Sequence, residues 1–141
     1  MNPQFSIIVP TIDNFSHVQE LVSSINTQTL LPKEIIIADS SSSNEIEDGL
    51  KVIETIVPII YLRVGRAYAF DRFLDYFSSL SIFASIFKTQ YSKGRAYPYE
   101  ASNAGAKIAR YEWLAFLDAT TIPINTWLKD YCHFIYLHEC D

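Results

Sequence analysis

Apolar residues along this 141-residue chain fall in short continuous runs that end on acids or hydroxyls. The clearest is Trp113-Leu114-Ala115-Phe116-Leu117, which runs into Asp118-Ala119-Thr120-Thr121. Two earlier stretches, Phe5-Ser6-Ile7-Ile8-Val9-Pro10-Thr11-Ile12-Asp13 and Glu34-Ile35-Ile36-Ile37-Ala38-Asp39-Ser40, do the same. Runs that are continuous rather than alternating predict strands buried on both faces, the habit of a parallel sheet covered by helices. Ile59-Ile60-Tyr61-Leu62-Arg63-Val64 predicts one more strand. Between the runs the apolar spacing changes to three and four. Phe15, Val18, Leu21, Val22 and Ile25 predict a helix over about 16–28, opened by the capping-box pattern Ser16-His17-Val18-Gln19 and stopped by Pro32. Ile46, Leu50, Ile53 and Val57 predict a second helix, from Glu45 to the approach of Pro58, with Glu45, Glu47 and Asp48 at its positive end.

The first 64 residues therefore read as β-α-β-α-β. Phe70, Phe73, Leu74, Phe77, Leu80, Phe83 and Phe87 then describe a helix with an aromatic stripe, and Tyr91 to Arg95 a loop. A short helix is expected at Ala101 to Arg110, and a last one, opened by Pro123 and Asn125, containing Trp127, Leu128, Tyr131, Cys132 and Ile135. The expected fold is a single three-layer α/β domain over 1–141, its sheet mainly parallel with helices on both faces, carrying an aromatic-rich helical insert at about 66–96. Ligands of such sheets bind outside the carboxyl ends of the strands, so Asp13, Asp39 and Asp118 are expected to gather on one ligand edge. Each is equally suited to capping the helix that follows.

Composition narrows the chemistry. Hydrophobic residues make up 49% and charged residues 19%, the balance of a globular protein. The net charge of -5 and the lack of any run of Lys or Arg disfavour nucleic acid as a partner. No stretch of 18 apolar residues is free of charge, and a cytoplasmic protein with Cys132 and Cys140 as free thiols is expected. Glycines stand only at 49, 65, 94 and 105, which excludes both the dinucleotide fingerprint and the P-loop. Cys132, His133, His138 and Cys140 match no standard zinc spacing, and His17 reads as a solvated helix residue.

An ordered set of short motifs adds to this. Pro10-Thr11, Gln28-Thr29 with Pro32, Glu34 to Asp39 through Ser42, Ala101-Ser102-Asn103-Ala104-Gly105, Phe116-Leu117-Asp118, Pro123 and Trp127-Leu128 follow one another in an order and spacing that resembles the inverting family-two glycosyltransferases of GT-A fold. The resemblance covers most of the chain outside the aromatic insert. It implies a nucleoside-diphosphate sugar as donor, with Pro10 and Thr11 lining the base pocket and Asp39 contacting the base. Ser42 and Asn103 would fall in the family's donor-site motifs. Asp118 would match the first acid of the D-x-D motif, near ribose and a Mn²⁺ or Mg²⁺ ion.

The departures from the family pattern matter as much. The acid-acid-glycine-serine loop appears here as Asp39-Ser40-Ser41-Ser42, and Ala-Arg-Asn as Ala101-Ser102-Asn103. Thr120 stands where the second D-x-D acid belongs, a weak ligand for a small hard dication. Metal-independent diphosphate binding would then fall to cations such as Lys93, Arg95 and Lys107. The acceptor-binding half of the family, with its catalytic base, has no counterpart in these residues. Transfer of a sugar to an acceptor is the expected function. The alternative is a non-catalytic GT-A-like module acting through nucleotide binding or protein interaction. A second copy, or the inner surface of a membrane, is the expected contact of Phe70, Phe73, Phe77, Phe83 and Phe87.

Overall fold

The computed structural model describes residues 3–65 and 96–138. Within them the order is β1 (Phe5–Thr11), α1 (Phe15–Asn26), β2 (Glu34–Asp39), α2 (Glu45–Leu50), β3 (Ile59–Arg63), α3 (Pro98–Ile108), β4 (Trp113–Phe116) and α4 (Trp127–His138). The four strands form one parallel sheet in the order β3-β2-β1-β4. Registers Ile7↔Ile35, Ile7↔Ala115 and Ile35↔Ile59 align the strands, so residues of like parity share a face.

Odd-numbered positions Ile7, Val9, Ile35 and Ile37 pack on Val18, Leu21, Val22 and Ile25 of α1 and Ile46 of α2. These side chains are all fully buried. The even-numbered face receives α3. At Gly105 an added Cβ would lie 2.8 Å from Ile8 Cγ2 and 3.5 Å from Ile36 Cγ2, so only glycine lets this helix sit so close to the strands. Helices thus cover both faces, giving the three-layer α/β fold that the apolar runs predict.

At the amino end of the strands a buried carboxylate ties three segments together. Glu34 is fully buried and accepts hydrogen bonds from Ser6 Oγ at 2.7 Å, the Arg110 N–H at 2.9 Å and Arg110 Nε at 2.7 Å. Tyr111 N–H donates in turn to Ser6 Oγ at 3.3 Å. Burial alone would raise the Glu34 pKa, but the bonds from Arg110 and Ser6 outweigh it and hold the carboxyl below its usual range.

Several elements differ from the sequence expectation. α1 is capped by Asn14, whose Oδ1 accepts from His17 N–H at 3.2 Å, and not by Ser16, which donates its own hydroxyl to the same Asn14 oxygen. α2 ends at Leu50 instead of reaching Pro58. The Asn26 side chain holds the chain beyond it as a loop by bonding Glu54 O, Thr55 Oγ1 and Ile56 N, while Ile53 and Val57 still reach the core. α3 starts at Pro98, three residues early, because Pro suits the first helical turn and Glu100 bonds back to Tyr97 N–H at 2.8 Å. α4 starts at Trp127. Among the described residues β4 is an edge strand: Leu114 and Phe116 are 39% and 53% exposed, not buried on both faces. A continuous apolar run does not distinguish a central strand from an edge one. The aromatic helix over 70–87 and the loop at 91–95 lie outside the described residues.

Candidate functional site

The carboxyl ends of β2, β1 and β4 stand side by side, and the loops leaving them wall a cleft of about 360 Å³. Its lining joins the end of β1 (Pro10, Thr11, Ile12), the start of α1 (Asn14, His17) and Ser40 after β2. Ala96 and Pro98 close it from the side of α3, and Asp118, Ala119 and Thr120 from the loop after β4. Its volume lies within the range of small-molecule pockets, and it has apolar walls with a few polar groups.

The β1 and β2 loops are tied together. Ser40 N–H donates to Thr11 O at 2.9 Å, and Asp13 N–H to Ser41 Oγ at 2.7 Å. Asp13 has φ 47°, a left-handed turn that lets the chain leave β1 and enter α1 within three residues. It is exposed and outside the cleft lining, because β1 ends at Thr11 and not at Asp13.

Asp39, the last residue of β2, is fully buried and is not among the residues lining the cleft. Its Oδ1 accepts from Ser41 N–H at 2.8 Å and from the Ser41 hydroxyl; its Oδ2 accepts from Tyr61 OH at 2.8 Å, with Arg63 Nη2 at 3.9 Å. Arg63 donates Nε to Tyr61 OH at 2.9 Å and Nη2 to Ser43 O and Asn44 Oδ1. Burial first, and then the Asp39 hydrogen bond, push the Tyr61 phenol up to about 12. This network fixes the path of the loop that carries Ser40.

Asp118 is placed differently. It is exposed, and its Oδ1 accepts from both the Thr120 hydroxyl at 2.7 Å and the Thr120 N–H at 2.9 Å. Those two bonds, with a smaller electrostatic contribution from His17, hold its carboxyl below the usual range. Gln28 anchors the chain just beyond, donating to Ile124 O at 2.7 Å and accepting from Leu128 N–H at 3.3 Å. Its side chain is buried, which gives the Gln28-Thr29 motif a structural duty.

Of the residues expected from sequence, Pro10, Thr11 and Asp118 line the cleft together. Asp39 is fully buried and outside the lining. Ser42 and Asn103 are exposed and outside the lining. Lys107 is exposed on α3 and also outside it, whereas Lys93 and Arg95 lie beyond the described residues, as do Cys140 and the side chain of His138. His17, Asn14 and Ser40 are the residues that sequence reasoning missed. His17 faces the cleft from the first turn of α1 and is not simply a solvated helix residue.

The donor set fits a divalent cation poorly. Among the described lining residues Asp118 is the only carboxylate, and one of its oxygens already takes two bonds from Thr120. Mg²⁺ and Mn²⁺ sites draw on more oxygen anions than that.

No protein-family model and no curated protein matches the chain. Among solved structures, it matches S. aureus TarS over 96% of its own length with a TM-score of 0.63 and 21% identity, spanning 20% of that chain. S. aureus TarS 1-349, alone and in complex with UDP, matches equally well, with the chain spanning 33% of each. The likeness is one of fold, and this chain spans about a third or less of the proteins it resembles.

Proposed function

We propose that the chain is the donor-binding half of a GT-A-like glycosyltransferase, and that its cleft holds a nucleoside-diphosphate sugar across the ends of β2, β1 and β4. The observation that carries this reading is the position of the cleft: it lies at the carboxyl edge of a parallel sheet, where ligands of open α/β folds bind. The complex of the similarly folded TarS 1-349 with UDP supports it. From Ser40 to Asp118 the cleft crosses two strand intervals, roughly 9.5 Å. That span suits a nucleoside with its base toward β2 and its ribose and phosphates toward β4. Pro10 and Ile12 offer apolar surface to the base, and Asp118 an acceptor to ribose hydroxyls.

A second reading has the chain bind the nucleotide without transferring sugar. It is favoured by the Thr120 bonds that occupy Asp118, because no other carboxylate among the described lining residues is placed to act as a base. Titration calorimetry with uridine, cytidine, guanosine and adenosine diphosphates and their sugars tests both readings. Binding of at least one nucleotide is expected. No heat and no thermal shift with any of them at millimolar concentration would remove the nucleotide assignment. Release of free sugar or its transfer to a simple alcohol would decide for the enzyme.

A further inference from the structure

The cleft is short of positive charge. Among its described lining residues one is a carboxylate, Asp118, and one is basic, His17. The chain as a whole carries a formal charge of -5 with its histidines neutral. A diphosphate brings further negative charge into this setting, and its binding needs a cation or strong donors to offset it. Lys107 is exposed and outside the lining. A metal would draw on Asp118, whose Oδ1 already accepts twice from Thr120.

His17 is placed to supply what is missing. It stands half-buried in the first turn of α1, where its backbone N–H donates to Asn14 Oδ1 at 3.2 Å and fixes the turn. Its imidazole makes no hydrogen bond among the described residues, and it is near enough to Asp118 to help hold that carboxyl below its usual range. Of the cleft walls that face it, those from β1, β2 and α3 contribute no titratable side chain, and the loop after β4 contributes Asp118. On its own segment the charged neighbours are Asp13 in the preceding turn and Glu20 one turn on, both exposed. His17 also lies outside every motif that carries the glycosyltransferase resemblance.

We infer that His17 is the phosphate-binding cation of the cleft, and that a proton taken up by its imidazole serves the diphosphate where the resemblance would place a divalent ion. The inference rests on the nucleotide reading given above. A charged imidazole donates from both ring nitrogens, a neutral one from a single nitrogen. Imidazole is also the side chain that gains its charge between about pH 8 and about pH 5. Its bonds to phosphate oxygens are then charge-assisted and stronger than neutral ones. Donor affinity therefore rises as pH falls, and by linkage binding draws a proton from solution. The sign is opposite to that of a metal-held site, where protons compete with the cation for its ligands.

The test uses the diphosphate glucoses of uridine, cytidine, guanosine and adenosine. Both of their phosphates are esterified, so their charge is constant where the terminal phosphate of a free nucleotide titrates, near about pH 6. Calorimetry with chelator present, in buffers of different ionisation enthalpy, gives the affinity and the protons taken up. For each sugar nucleotide that binds, parent affinity should rise about tenfold or more from about pH 8 to about pH 5.5, with proton uptake between. His17→Gln, which keeps the backbone bond to Asn14, should bind weakly and change less than about twofold over that range. His17→Lys should bind more tightly than His17→Gln at the alkaline end, because its charge persists there. A pH response shared by His17→Gln, parent binding without proton uptake, or no gain from lysine would overturn the assignment and leave the nucleotide site standing. Failure of the parent to bind any of the sugar nucleotides at any pH would overturn this inference and the proposed function together.

Discussion

Asp118 and Thr120 show how one hydroxyl changes the electrostatics of a site. Where a second carboxylate would repel Asp118 and invite a cation, Thr120 donates two hydrogen bonds to it and satisfies it internally. Nucleotide affinity should then respond weakly to Mn²⁺, changing less than about threefold between excess metal and chelator. Thr120→Asp should make it rise about tenfold or more on adding Mn²⁺. Paired titrations of both proteins decide this, and strong metal dependence in the parent would mean that the cation draws on other ligands. Tyr61 gives a second test at this scale. Its phenol is raised to about 12, so the folded state favours the protonated form. That stabilisation is complete below the ordinary tyrosine pKa near 10 and is lost as pH rises toward about 12. Tyr61→Phe should cost about 1 kcal/mol at neutral pH and flatten the alkaline limb of a urea-midpoint profile. An unchanged limb would show that Tyr61 does not titrate in it.

Elements are positioned here by close approach and by one buried acid. Gly105→Ala gains about 1 kcal/mol of helix propensity but drives a Cβ to 2.8 Å from the buried, branched Ile8. Overpacking of that kind costs about 1–3 kcal/mol, so a net loss of stability is expected in denaturant. A stabilised variant would mean that α3 shifts outward freely. Glu34 ties β2 to β1 and to the turn between α3 and β4. Because its folded pKa is depressed, its contribution is full above the ordinary glutamate pKa and is lost as pH falls through the folded value. Glu34→Gln should therefore lower stability at pH 7 by about 1–3 kcal/mol and lose less than the parent on acidification. Parallel unfolding curves of the two proteins from pH 7 downward would contradict this. Sequence pattern made most of these elements legible, since β1, β2, β3 and α1 rest on local periodicity, although the cap of α1 is Asn14 and not the expected Ser16. Arg110 pairing with Glu34 was not legible, because the two stand 76 residues apart and meet only through the sheet.

At the scale of the whole molecule, the sheet edge that gathers Thr11, Asp39 and Asp118 followed from apolar runs ending on polar residues. What the pattern could not show is depth. Asp39 is fully buried and held by Tyr61 and Arg63 of the neighbouring β3, while Asp118 stays exposed on the loop after β4, the edge of the sheet among the described residues. His17 and Ala96 enter the lining from elements on either side of the sheet ends, and no local signal marks them. The order of the strands has a consequence in time. β1 is central, and its two neighbours are far apart along the chain: Ile7 meets Ile35 on one side and Ala115 on the other. Pairings between distant residues form late, because loop closure must precede any gain from contact. On the ribosome, β1 to β3 can assemble while the other edge of β1 waits for β4 to emerge. Trp113, whose ring lies 6.4 Å from that of Phe5, is placed to report the final closure. In a Trp127→Phe background its fluorescence should change after the backbone circular dichroism during refolding, and a single shared rate would show that the sheet closes in one step.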